Sequence, residues 1–186
     1  LYAQHQLGNR WNSGHIKSAR VVGDKTPMHT IASTQLYQLY PEARFIHITR
    51  DPRDMTTSQW YFWAKDNDPR PFEQFVEYSI THVWPLNVNG ARAVQGLAGE
   101  RYLELRYEDL LAAPEATMQQ MLNFLELDAS ESAVTQCLEA GRFDRHAAGR
   151  QRGEAQPGSL YRKGVAGDWV NHLPAELTHQ CCQQIA

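Results

Sequence analysis

The stretch FIHITRDPRDMTTS, Phe45 to Ser58, decides the fold. Its first half is rich in β-branched and aromatic residues, which predicts a buried strand over residues 44–49. Its second half carries the signals of a helix start. Asp51 is a good N-cap, Pro52 suits the first helical position, and Asp54 falls three residues after the cap. That helix is expected to run to about Ala64. A strand passing through a tight polar turn into a helix is the building unit of a parallel α/β sheet.

Toward the N-terminus, Lys17 to Val22 reads as a short strand ahead of Gly23. Pro27 then opens a helical stripe of Ile31, Leu36, Leu39 and Tyr40, stopped by Pro41. Toward the C-terminus, residues 67–71 carry two prolines and read as a loop. Phe72 to about Leu97 reads as mostly helical with a break near Pro85, and Arg101 to Leu105 as a third strand. Pro114 opens a helix that ends near Leu127. From Phe143 to Trp169 the chain turns poor in aliphatics and rich in Gly, Arg, Gln and Asp, the mark of a long functional loop. A last helix begins near Pro174. The expected fold class is three-layer α/β with a parallel central sheet, in one domain over residues 1–186.

Composition bounds the function. With 42% hydrophobic and 21% charged residues the chain is ordinary for a globular protein. A formal charge of −3 argues against a broad nucleic-acid surface, so any anion site must be built from a few placed cations. The three cysteines, Cys137, Cys181 and Cys182, have no CxxC spacing. A disulfide framework or structural zinc site is not indicated, and a reducing, cytoplasmic setting is the expectation. No run of about 18 apolar residues suggests a membrane span, and no signal peptide is visible.

Ligands of parallel sheets bind beyond the carboxyl ends of the strands. Three polar clusters, Asp24-Lys25, Arg50-Asp51 and Arg106-Tyr107-Glu108, follow from that rule, and the basic loop adds a fourth candidate. Arg50 closes a strand and Ser58 lies on the next helix, so a phosphate there could take a bidentate bond from Arg50, a hydroxyl bond from Ser58 and the amides of the helix N-terminus. Arg50 could equally pair with Asp54 or another surface acid. RKGVAGDW, Arg162 to Trp169, sets two cations ahead of glycines that let backbone amides approach an anion, or it is a flexible basic turn. Asp24, Lys25 and His29 share one strand-to-helix turn. A carboxylate or imidazole there could act as general base and the ammonium could steady a leaving oxygen; the alternative is an ordinary helix start. Tyr107, after the third strand, could contact a purine or close the edge of the core.

Taken together these segments resemble the sulfotransferases that use 3′-phosphoadenosine 5′-phosphosulfate (PAPS). The residues that carry the resemblance are FIHITRDPRDMTTS, RYEDLLAAPEATMQQMLNFLEL (Arg106 to Leu127) and YRKGVAGDWVNHL (Tyr161 to Leu173), in the family's order. The resemblance implies a sheet like that of nucleotide kinases and sulfuryl transfer to an acceptor hydroxyl or amine, on a small molecule, glycan or peptide, without a metal. It also implies roles. Arg50 and Ser58 hold the donor's 3′-phosphate, and Arg162, Lys163 and Gly164 close over it. Tyr107 lies near the adenine with Phe143 as stacking partner, and Trp169 packs the loop. His29 or Asp24 is the base, with Lys25 near the departing oxygens. His29 follows Lys25 by four residues rather than the family's two, and Asp24 falls where other branches have a glutamate. Val170 stands where many members have a basic residue. The family's Lys-x-Gly-Thr-Thr turn, which grips the phosphosulfate, is not among these residues. The expectation is therefore an N-terminally truncated domain, inactive by itself. A non-catalytic nucleotide-binding fragment is the rival reading. A small-molecule kinase, which needs a GxxxxGK[ST] turn, ranks below both.

Overall fold

A computed structural model describes residues 21–185. Pro27–Ala32 forms a 3₁₀ turn that runs into α1, Ser33–Leu39. The chain then enters β1, Phe45–Thr49, and α2, Pro52–Gln59, which continues through a π-helical turn, Trp60–Ala64. After the expected loop come α3, Phe72–Tyr78, a second π-helical turn, Ser79–Val83, and α4, Trp84–Arg92. A short α5, Gln95–Ala98, leads to β2, Tyr102–Arg106. Helices α6, Tyr107–Ala112, α7, Pro114–Phe124, α8, Glu131–Ala140, and α9, Phe143–His146, follow. A long loop ends in a 3₁₀ turn, Asp168–Asn171, before α10, Ala175–Ile185.

The fold is α/β, as expected, but mostly helical. Among the described residues the sheet has two strands, not three. Val21 and Val22 lie in no regular element, and the rest of the expected first strand, residues 17–20, lies outside the described residues. β1 is also less buried than its composition predicts, with Ile48 48% exposed. Pro85 does not break the helix. Residues 72–92 are helical without interruption, and the π-helical turn Ser79–Val83 lies directly ahead of Pro85, where the ladder of hydrogen bonds is already irregular. Helix α8 had no counterpart in the sequence reading, although Ser130 caps it by accepting from the Ala133 amide.

The strands pair in parallel, from Phe45 with Tyr102 to Thr49 with Arg106. This register fixes the site: the residues that leave the two strands, Arg50 and Tyr107, must emerge side by side. Between the strands lies a polar knot. His47, 9% exposed, meets the Tyr102 hydroxyl at 2.8 Å and Glu104 at 3.3 Å. Burial pushes the His47 pKa down and outweighs the pull of Glu104. Arg92 in turn holds the Glu104 carboxyl down at about 2 against the effect of burial.

The main apolar cluster joins Val76, Ile80, Leu173, Leu177 and Cys181, with Phe72 and Trp169 against it. It packs α10 and the end of the long loop onto α3 and the turn that follows. Helix α4 supports the other side. Its Gly90 meets the chain so closely that an added Cβ would stand 2.6 Å from the Thr30 carbonyl oxygen and 3.1 Å from Ile31 Cα. Gly90→Ala gains about 1 kcal/mol of helix propensity, but overpacking against backbone costs about 1–3 kcal/mol. With no flexible side chain to yield, the clash is expected to win. A melting temperature lower by about 2–8 °C is the expected result; a rise would show that this contact is not tight.

Candidate functional site

Beyond the strand ends, the Arg50 guanidinium lies 4.6 Å from the centre of the Tyr107 ring, as the register requires. Its Nη2 donates to the Val165 carbonyl at 3.1 Å. Arg50 does not pair with Asp54. Trp84, the first residue of α4, donates its indole N–H to the Arg50 carbonyl at 3.2 Å.

The N-terminus of α2 is closed by its own chain. Asp51 accepts from the Arg53 amide at 2.9 Å and binds the Arg53 guanidinium through both carboxylate oxygens. Burial resists the Asp51 charge, but the bonds from Arg53 prevail and keep its pKa below the usual range. The amides expected to greet an anion there are thus partly spent on the cap, and the attraction rests on Arg50. Ser58 lies farther along α2, half-buried.

The long loop is ordered by its own arginines. Arg150 donates to the carbonyls of Glu154, Tyr161 and Arg162, and Arg152 to that of Gly164. Both thus satisfy backbone oxygens. Gly164 has φ +69, and a Cβ there would stand 2.6 Å from the Phe143 ring. Phe143 is 8% exposed and packs beneath the loop, with its ring 6.3 Å from Tyr161.

Two buried acids, neither expected from the sequence as a site residue, organise the cations. Asp168 accepts from Arg162 Nη2 and Lys163 Nζ, each at 2.5 Å, and from Asn171 at 3.0 Å. His172 Nε2 lies 3.1 Å from the same carboxylate, and His172 Nδ1 lies 3.2 Å from the Tyr61 hydroxyl. Burial opposes ionisation of Asp168, but the bonds from Lys163 and Arg162 hold its pKa well below the usual range. Asp54 accepts from the amides of Gly167 at 2.6 Å and Trp169 at 3.0 Å, joining the loop to α2. The Arg53 guanidinium lies 3.9 Å from the centre of the Trp169 ring, which packs against the apolar core cluster.

The Asp24-Lys25-His29 turn forms a third part. His29 Nε2 and Asp24 Oδ2 are 3.4 Å apart, so the two rival bases face each other, and Lys25 is exposed. No hydrogen bond or ion pair among the described residues links these three to Arg50, Arg162 or Lys163. The connection runs through α4. Asn87 bonds Thr30 at 2.5 Å, the Gly90 carbonyl bonds Ser33 Oγ at 2.5 Å, and Trp84 reaches Arg50.

The arrangement suits an anion. Arg50 Nε and Arg162 Nε are buried with no hydrogen-bond partner, as are Arg150 Nε in the same loop and Arg101 Nε away from it, although a buried donor ordinarily finds one. A cleft of about 620 Å³ lies away from Arg50 and Arg162, by the amino ends of the strands. Its arginines are matched by acids, Arg44 with Glu126 and Arg101 with Glu42, so it offers no surplus of positive charge. Of the aromatic run, Trp60 packs on Phe72 and Phe75, whereas Phe62, Trp63 and Tyr78 remain exposed. Among the described residues no group of three or more His, Cys, Asp or Glu is placed to hold a metal ion, and no helix is long and apolar enough to cross a membrane.

Comparison with known proteins points one way. The model of the Sulfotransferase family matches residues 2–131. Sulfotransferase 2A6 of Mus musculus is 24% identical over 175 residues, covering 86% of this chain and 60% of that protein. The 3-alpha-hydroxysteroid sulfotransferase of Cavia porcellus is 26% identical over 173 residues, covering 84% of this chain and 58% of that protein. The chain thus spans about six tenths of the length of the curated relatives it matches. Among solved structures, a mouse sulfotransferase complexed with PAP superimposes with a TM-score of 0.61 at 18% identity, over 76% of this chain and 56% of that one. Retinol dehydratase in complex with androsterone and inactive cofactor PAP gives a TM-score of 0.64 at 24% identity, over 80% of this chain and 48% of that one.

Proposed function

Because the chain belongs to the sulfotransferase family, we propose that it carries the 3′-phosphate-binding half of an enzyme that moves a sulfuryl group from PAPS to an acceptor. The observation that carries this reading is the buried, unpartnered Nε donor on each of Arg50 and Arg162, the first at a strand end and the second in the loop whose Val165 carbonyl Arg50 binds. Buried guanidinium donors favour a multiply charged ligand that can meet them with oxygen. Arg50 would hold the 3′-phosphate from below with Ser58, and Arg162, Lys163 and the Gly164 amide from the loop. Tyr107, whose one face carries the Arg50 guanidinium, would lie near the adenine. Phe143 would support the nucleotide pocket through Gly164, since its ring is spent on packing.

When bound, PAPS supplies the activated sulfuryl group. In the proposed reaction the bond from phosphate oxygen to sulfur breaks and a bond from acceptor oxygen or nitrogen to sulfur forms. The acceptor proton passes to His29 or Asp24, and adenosine 3′,5′-bisphosphate leaves. Lys25 would neutralise charge on the departing oxygens. Fixed cations do this work in the scheme, so it calls for no metal. A small-molecule alcohol is the proposed acceptor class, in keeping with the androsterone named for one structural neighbour and with the exposed rings of Phe62, Trp63 and Tyr78. A cytoplasmic setting goes with this reading and with three free cysteines.

Calorimetry tests the site directly. Adenosine 3′,5′-bisphosphate is expected to bind about 10- to 100-fold tighter than adenosine 5′-phosphate, the worth of one or two charge-assisted hydrogen bonds. Equal affinities would overturn the assignment. Binding without turnover by the longest chain its gene encodes would favour a non-catalytic role.

A further inference from the structure

Asp54 stands out among the polar groups of the site. It is 1% exposed, sits in the first turn of α2, and forms no ion pair among the described residues. A buried carboxylate without a cation is costly unless hydrogen-bond donors surround it. Here the donors are two amides of one short segment: Gly167 N–H reaches Oδ2 at 2.6 Å and Trp169 N–H reaches Oδ1 at 3.0 Å. Gly167 adopts φ +79, the left-handed conformation that turns nearby amides toward a common centre, forming an anion-holding nest. The positive end of α2 lends further support to the charge.

The residue between those amides is Asp168, whose own carboxylate holds Arg162 and Lys163 at 2.5 Å each. Two acids therefore act in series. Asp54 fixes the backbone on either side of Asp168, and Asp168 fixes the two cations. The other links between loop and sheet end are weaker anchors, since Arg50 offers one neutral-carbonyl bond at 3.1 Å and Arg53 lies flat on Trp169. Among the described residues, only Asp54 binds the loop backbone twice from a helix.

We infer that Asp54 is a positioning residue for recognition of the donor's 3′-phosphate, setting where Arg162 and Lys163 stand relative to Arg50. This rests on the 3′-phosphate reading above. It makes a specific demand on Asp54: loss of its charge must damage discrimination at the 3′-position, not nucleotide binding in general.

The test compares Asp54→Asn with the unmodified chain, using adenosine 3′,5′-bisphosphate and adenosine 5′-phosphate as probes in calorimetry. Asparagine keeps the volume but can accept only through its single oxygen, so one of the two amide bonds is lost. The expected result is a preference for the 3′-phosphate at least tenfold smaller than in the unmodified chain, with adenosine 5′-phosphate affinity within about twofold. An unchanged preference, or equal losses for both nucleotides, overturns the proposal and marks Asp54 as structural. No preference in the unmodified chain overturns the functional reading instead, so the two failures are distinct. Hydrogen exchange on the unmodified chain covers the case of a variant that does not fold. The Gly167 and Trp169 amides are expected to be protected, and further slowed by adenosine 3′,5′-bisphosphate but not by adenosine 5′-phosphate. Unprotected amides, or equal slowing by both nucleotides, would refute the inference without any substitution.

Discussion

Arg50→Ala is expected to weaken binding of adenosine 3′,5′-bisphosphate by about a hundredfold and that of adenosine 5′-phosphate far less. Hydrogen bonds to charged groups are worth about 1.5–3 kcal/mol each, and the upper end corresponds to roughly two decades in affinity. The upper end applies here for two reasons. Arg50 stands where the sheet register forces it, so it loses little freedom on binding. Its Nε is already buried and unpartnered, so no existing bond at that atom has to break. Alanine also frees the Val165 carbonyl and uncovers the Tyr107 ring. Those losses act on loop and adenine contacts that both nucleotides share, so comparison of the two ligands subtracts them. Equal affinity of Arg50→Ala and the unmodified chain for the bisphosphate would remove Arg50 from the site.

The second large effect concerns turnover. His29→Ala is expected to lower kcat by about 10²–10⁴-fold, the usual loss on removing a general base. Asp24→Asn should cost less. The 3.4 Å contact makes the two residues partners and not merely alternatives, with the carboxylate able to orient the ring and steady it once protonated. Nucleotide affinity should be unchanged in both variants, since neither side chain contacts the phosphate-side cations. Single-turnover rates on the longest chain its gene encodes separate the cases. A larger loss for Asp24→Asn than for His29→Ala would reverse the roles, and full activity of both would place the base elsewhere.

The legible parts of the chain were those set by neighbours in sequence. Asp51 caps α2 as its position implied, because an N-cap needs only an amide two residues on. The strand at Phe45–Thr49 followed from composition, and the long loop from its lack of aliphatics. Helix α8 was missed, though Ser130 before Glu131 and the apolar spacing of Val134, Cys137 and Leu138 were there to be used. The roles of Arg150 and Arg152 were not legible. A loop rich in arginine looks alike whether its guanidinium groups face a ligand or their own carbonyls, and only the folded path of the loop decides which.

The sequence by itself determined the strand, cap and helix around Arg50, the glycine-bearing basic loop, and the family that both imply. Those features depend on short-range sterics and hydrogen bonding, which a local stretch specifies. Only the tertiary structure decided which acids govern the cations. Asp54 meets Gly167 across 113 residues and Trp169 across 115, and its place in the first turn of a helix reads equally well as an ordinary dipole partner. Burial changes its meaning. A carboxylate removed from water must find donors, and the donors it finds are the amides on either side of Asp168, which itself holds Arg162 and Lys163.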